Sequence, residues 1–248
     1  MSEHDGKGGR VQGPIEITAV DDPAGAVAVA DLFDRVWGVT TMVSPEIIVA
    51  ATHNGAYASL ARVDGAIVGA AFAIVGKPLD DASGPNLHSH AAGVLPTLAD
   101  RGVGEAIKSH QWRWARANGF STITWTFDPL VRRNAWFNLV TLGVRVLGYH
   151  RNFYGELHDG INAGEQSDRL LVRWDVDHAD DQQRGAVIAA QAGDLLIETP
   201  PDIASLRVQD RAAASEWRQR QRAAFEGAED RFVAGLSASY SYVLRSRR

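Results

Sequence analysis

The stretch NLHSHAAGVLPTLADRGVGEAIKSHQWRWARANG, Asn86 to Gly119, constrains this chain more than any other part of it. Its first third is an apolar run that reads as a strand. Its second half carries a helical pattern, and Gly102 and Gly104 stand between the two. A strand, a glycine turn and a helix N-terminus together make an anion site. Glycine lets backbone N–H groups approach a ligand closely, and the helix dipole adds partial positive charge. Spacing excludes two such sites. A P-loop ends in Gly-Lys-Ser/Thr, whereas Lys108 and Ser109 lie a full turn beyond Gly104. A dinucleotide fingerprint needs a third glycine where Ile107 stands. The two glycines alone fit an anion cradle and an ordinary strand-to-helix turn alike.

The flanking pattern places that turn in a mixed sheet. IEITAV (Ile15 to Val20) alternates as a strand does, and Asp22-Pro23 caps a helix to about Trp37. Ser44-Pro45-Glu46 opens a second helix that ends near Asn54-Gly55. Asp64-Gly65 is a hairpin turn between two apolar strands. After the glycine turn the helix runs to Asn118-Gly119, with Val103, Ile107, His110 and Trp114 on one stripe. That stripe makes His110 a core contact rather than a ligand. STITWTF is a strand, Asp128-Pro129 caps a helix to about Leu142-Gly143, and VRVLGYH and LLVRWDV are further strands. Beyond Asp177 the pattern changes to HADDQQRG, a linker, then LLIETP, a charged helix over RVQDRAAASEWRQRQRAAFEGAED, and YSYVL.

These segments predict three parts: a disordered leader over residues 1–14, a main domain over 15–177, and a C-terminal strand-helix-strand extension over 178–248. The extension is too poor in apolar surface to fold alone. It is expected to pack on the core or on a second subunit through the Trp217 and Phe225 side of its helix.

Composition removes several functions. The chain of 248 residues has no cysteine, which excludes thiolate metal sites, disulfides and cysteine nucleophiles. A net charge of −5 argues against nucleic acid, and no apolar run reaches the length of a membrane span. A cytoplasmic protein that binds neither nucleic acid nor membrane is the expectation. His88 and His90 point to one side of their strand, but no third ligand lies at metal-ligand spacing.

The order of elements, with this turn after the fourth strand, resembles the GNAT superfamily of acyl-CoA-dependent N-acyltransferases. The residues that carry the likeness are Val94 and Pro96 at the strand end, Ala99-Asp100-Arg101-Gly102-Val103-Gly104 at the turn, and Asn134 with Leu142-Gly143 on the next helix. It covers about Ile15 to Asp177. WTFDPLVRRNAWFN, YGELHDGINAG and SDRLLVRW look like a bacterial subgroup with a C-terminal extension.

The resemblance implies an α/β (α+β) fold: a mixed, mostly antiparallel twisted sheet flanked by helices. It implies acetyl-CoA or succinyl-CoA as co-substrate and no metal. The acceptor would be the amine of a small molecule, such as an amino acid, and a homodimer is compatible with it. The coenzyme pyrophosphate would lie on the N–H groups of Asp100, Arg101, Gly102, Val103, Gly104 and Glu105. Ala92 and Val94 would bond the pantetheine amide and the thioester carbonyl, and Asn134 would touch the coenzyme. His88 stands six residues before Val94, where the superfamily often carries its base, with His90 as a second candidate.

Two positions depart from the superfamily pattern. Ala99 replaces an Arg or Gln. Leu139 replaces the Tyr that usually protonates the leaving thiolate, which leaves Tyr149 and Tyr154 as candidate acids. Arg169 and Arg173 could hold an acceptor carboxylate or pair with Asp168 or Asp175. The alternative reading is a non-catalytic acyl-CoA sensor or partner module.

Overall fold

The computed structural model describes residues 13–156, 166–176 and 184–247. The expected leader, most of the loop after Glu156 and the first part of the linker therefore lie almost wholly outside the described residues. The chain divides into two compact units, Met1–Ile123 with Val176–Asp181, and Thr124–Asp175 with Gln182–Arg248.

In the first unit, β1 (Ile15–Ala19), β2 (Tyr57–Val63), β3 (Ala66–Gly76) and β4 (Asn86–Val94) follow one another as antiparallel neighbours. β5 (Thr122–Phe127) is next in the order, and begins in this unit. The strands are nearly continuous apolar runs because helices cover both of their faces. Helices α1 (Pro23–Trp37) and α2 (Pro45–His53) pack on the face that carries Ala58, Leu60, Ala70, Phe72 and Ala91. Each starts as the sequence predicts: Asp22 accepts from Gly25 N–H, Ser44 accepts from Ile47 N–H, and a proline opens the first turn. Helix α3 (Val103–Ala117) covers the other face. There Tyr57 bonds His110 Nδ1 at 2.8 Å and packs on Trp114, so His110 is a core contact.

In the second unit, β5 continues beside β7 (Arg169–Asp175), and β6 (Arg145–His150) pairs antiparallel with β7. The connection after β5 differs from the sequence reading. Helix α4 is only Arg132–Trp136, followed by a π turn over Phe137–Thr141. Asp128 does not cap it. Its carboxylate accepts Leu130 N–H and is held by Arg207 at 2.6 Å and by Arg218 at 2.8 Å through both terminal nitrogens. Burial alone would raise its pKa, but Arg218 and then Arg207 hold it well below the usual carboxylate range.

The C-terminal segment also has more elements than predicted. It folds as β8 (Leu195–Ile197), α5 (Ile203–Gln209), α6 (Arg211–Glu226), β9 (Arg231–Leu236) and β10 (Tyr242–Ser246), with β10 between β8 and β9. Asp210 interrupts the expected single helix because its side chain caps α6 at Ala213 N–H. Leu130, Ile203 and Ala214 form a small core with Trp217 against it, and Tyr242 packs on Phe225 and donates to Pro129 O. A mixed, mostly antiparallel sheet flanked by helices, with a three-stranded sheet toward the C-terminus, is thus the architecture.

Removing the buried Asp128 charge takes a counter-charge from Arg207 and Arg218. Asp128→Asn is expected to cost about 3–5 kcal/mol in urea unfolding, and a loss below 1 kcal/mol or so would contradict the clamp. A peptide of residues 178–248 alone is expected to show no cooperative thermal transition, since its core includes Leu130 and its arginines need Asp128.

Candidate functional site

β4 reads NLHSHAAGV, and its register decides what each residue does. Phe72 opposes Ala91 while Ala73 opposes Ser89, so His90 is the extra residue of a β-bulge. Leu95 N–H donates to Val68 O at 2.9 Å, beside the pair Gly69–Val94. Antiparallel alternation then directs the N–H groups of Gly93 and Ala91 to β3, and those of Ala92 and Val94 away from it. Ser89 faces α3. His88 opposes Ile74, on the face of Phe72, and the exposed His90 ring sets its edge to Phe72 at 6.3 Å. Burial, then the neighbouring His90 and Lys108 charges, lower the His88 pKa to about 4. Desolvation of the ring where it leans on Phe72 lowers that of His90, although the residue as a whole is exposed. His88 is therefore neutral at pH 7, with a ring nitrogen able to accept a proton.

The chain leaves β4 through a short 3-10 turn, Pro96–Leu98, and enters α3 with two left-handed residues, Asp100 (φ 60°) and Gly102 (φ 91°). Gly102 is the N-cap and offers no side chain. The first intrahelical bond runs from Ala106 N–H to Gly102 O at 3.0 Å. The N–H groups of Val103, Gly104 and Glu105 precede that bond and point out of the helix end, as in any anion cradle. A Cβ on Gly102 would meet nothing within 4 Å, so the approach to the turn is open, while fully buried Val103 pins it to the core. Asp100 and Arg101 are exposed beside it.

Lys108, one turn on, is a residue the sequence reading passed over. It is buried, donates to Ser89 Oγ at 2.9 Å and Gln111 Oε1 at 3.0 Å, and burial lowers its pKa to about 7. The signal was available, since Lys108 lies one residue from the apolar stripe of α3.

The second unit holds the remaining candidates. Asn134 is half-buried on α4, and its carbonyl accepts Asn138 Nδ2. Leu139 is buried in the π turn. Tyr149 donates to Asp168 Oδ2 at 2.5 Å and stacks on Phe225 at 4.9 Å. Burial and then the Asp168 carboxylate raise its pKa. Asp168 is itself fully buried and also accepts two bonds from Arg222, at 2.9 and 2.7 Å. Tyr154 is 41 % exposed, shares a hydrogen bond with Thr126 Oγ1 at 3.0 Å, and lies under the Arg169 guanidinium at 5.6 Å. Arg173 is buried and bonds Asp175. The structure thus brings Tyr154 and Arg169 together, and both Arg169, through the Asp168 carbonyl, and Tyr149, through its carboxylate, bond Asp168. Among the described residues no group of three or more His, Asp or Glu could hold a metal ion. Among them, too, no helix is long and apolar enough to cross a membrane.

Solved structures share this fold. Arabidopsis thaliana Naa50, in complex with the bisubstrate analogue CoA-Ac-MVNAL, aligns with a TM-score of 0.51 at 17% identity, over 64% of this chain and 97% of its own. The ribosomal-protein-S18-alanine N-acetyltransferase of Escherichia coli aligns at 0.51 and 15% identity, over 68% and 99%. The acetyltransferase yncA of Salmonella typhimurium, solved with its cofactor acetyl-CoA, aligns at 0.52 and 16% identity, over 67% and 97%. The chain has the GNAT fold. No family model matches the sequence, and no curated protein matches it. Roughly a third of the chain lies outside each GNAT alignment.

The site makes a prediction that needs no ligand. An imidazole NMR titration should place the His88 midpoint near 4, with that of His90 also below the ordinary histidine value. Both folded values are depressed. Their contribution to stability is therefore complete above about pH 6.5 and is lost as pH falls through the folded pKa. Urea unfolding should show stability falling between pH 6.5 and 4, less steeply in His88→Ala. A His88 midpoint at or above 6.5 would contradict the burial.

Proposed function

We propose that the protein is an acyl-CoA-dependent N-acyltransferase that moves an acetyl, succinyl or similar group to the amine of a small molecule. One observation carries the reading: a GNAT-fold strand whose Ala92 and Val94 N–H groups turn away from β3 leads directly into a glycine-opened helix. Two of the solved structures sharing the fold hold acetyl-CoA or a coenzyme A analogue, which supports the same ligand here. The pyrophosphate would be cradled by the α3 N-terminus, from Asp100 to Glu105, with Asn134 as a further contact. Ala92 and Val94 N–H would hold the pantetheine and polarise the thioester carbonyl, stabilising the oxyanion as it forms.

An amine arrives largely as its ammonium at neutral pH, and only the free amine attacks. His88, neutral and on β4, is the proposed base, taking the proton directly or through water, and His90 the second candidate. The amine nitrogen bonds the acyl carbon, the C–S bond breaks, and the thiolate carries off the electron pair. A thiol of pKa near 8.5 can leave with little help. Tyr154 is the proposed proton donor over Tyr149, whose hydroxyl is engaged by Asp168. Arg169, which donates to a main-chain carbonyl rather than to a carboxylate, is the proposed holder of an acceptor carboxylate over Arg173, which is paired with Asp175.

Leu139, buried where superfamily members carry a Tyr acid, favours a second reading, a binder that senses acyl-CoA without turnover. Both readings require coenzyme binding, and only the first requires the base.

Acetyl-CoA at a hundredfold its Kd should add about 2.7 kcal/mol, or roughly 5–10 °C in Tm for a chain of this size. Gly104→Val should abolish that shift without unfolding the protein. A millimolar scan of acyl-CoAs with no shift removes both readings. With a responsive amine acceptor in hand, His88→Ala is expected to lower kcat/KM about 10²-fold, with the acetyl-CoA-induced Tm shift retained. Full activity in that variant returns His88 to a structural role.

A further inference from the structure

Behind the strand that carries His88 lies a buried ammonium. Lys108 Nζ donates to Ser89 Oγ and to Gln111 Oε1, both neutral groups, in a layer where Lys108, Ser89 and Gln111 are each at most 5 % exposed. Gln111 Nε2, in the same layer, has no hydrogen-bond partner. An unsatisfied donor beside a buried cation is costly, and a methionine or leucine would pack the same volume at less cost. Ser89 is the residue between His88 and the bulged His90. The ammonium therefore grips, from the α3 side, the segment whose other side carries both imidazoles.

We propose that Lys108 is a positioning residue for His88: anchored on Ser89, it fixes the bulge that sets the direction of the imidazole. The proposal rests on His88 being the base.

Among the described residues, several groups lie around the pair. On β4 there is His90. On α3 there are His110, bonded to Tyr57 of β2, and Arg113. β1 and β3 turn Ile17, Ala19, Ala71 and Ala73 toward α3, and Ile74 opposes His88. On the other face, α1 presents Val29, Ala30 and Phe33 to the sheet. Among these positions Lys108 is the cation adjacent through Ser89, and it carries its charge below a pH of about 7. That is the range in which His88 would otherwise take a proton. Burial, then His90 and then the Lys108 charge lower the His88 pKa. Above that range the acceptor amine is still to be deprotonated, and His88 enters it unprotonated.

The test uses the full chain, Lys108→Met and Ser89→Ala, with imidazole NMR titration of His88, pH profiles and Tm. Lys108→Met keeps the chain length and removes the charge, so Tm is expected to stay or rise. The His88 midpoint should then rise by about half a pH unit, roughly a threefold change in proton affinity. The acid limb of kcat/KM should move with it, while KM for acetyl-CoA stays within about twofold. Ser89→Ala releases the anchor and should move the midpoint the same way, by less. If Lys108→Met does not fold, Ser89→Ala decides alone. An unmoved His88 midpoint in the folded variant overturns the proposal. The NMR readout needs no turnover. A shifted midpoint in a protein that transfers no acyl group to any amine sinks the acyltransferase reading and leaves the positioning intact. Transfer with an unmoved midpoint sinks only the positioning.

Discussion

The alternation of hydrogen bonds between β3 and β4 is the constraint on which the functional account depends. An antiparallel neighbour can use only every second N–H of a strand, and Leu95 bonding Val68 decides which ones β3 uses. Ala92 and Val94 are thereby turned away from β3. The bulge at His90 then shifts the register by one residue, so that Ser89 meets α3 while both histidines meet the opposite face. A slip of one residue would send the imidazoles to the α3 side and the N–H groups of Ala92 and Val94 into the sheet. Gly93 guards the register from the α1 side: a Cβ there would come within 2.9 Å of Trp37.

The second unit is organised by buried carboxylates rather than by apolar surface alone. Asp128 gathers Arg207 from α5 and Arg218 from α6. Asp168 gathers Arg222 from α6, Tyr149 from β6 and the Asn152 N–H. Each carboxylate satisfies several donors at once, the condition under which a buried ion is tolerated. We propose on this ground that residues 178–248 are an extension of the acyl-CoA-binding domain and not a domain of their own. The same economy explains the tyrosines. The Tyr149 hydroxyl satisfies a buried carboxylate, whereas Tyr154 keeps an exposed ring.

Much of this was legible in the sequence because it is local. Asp22-Pro23 and Ser44-Pro45 announce their helices, and Asp64-Gly65 its hairpin, through bonds made within four residues. The turn at Gly102 is legible for the same reason. What was missed depends on distant partners. Asp128 has the look of a cap, and only the arrival of Arg207 and Arg218, 79 and 90 residues later, gives it another role. β9 was read past because Gly235 interrupts RFVAGL. The glycine (φ 155°) is required there by the close approach of Ile188, which no local pattern shows. The bulge at His90 likewise depends on the length of β3. Lys108 reads as a charge on an exposed face until Ser89 is placed beneath it.

The central claim is that β4 and the α3 N-terminus receive the coenzyme. Hydrogen–deuterium exchange of the full chain with and without acetyl-CoA tests it most directly, because it reads the backbone N–H groups that the account assigns. Protection should appear at Ala92 to Val94 and at Gly102 to Ala106, and should be lost in Gly104→Val. Binding that leaves both segments exchanging as in the free protein would contradict the account.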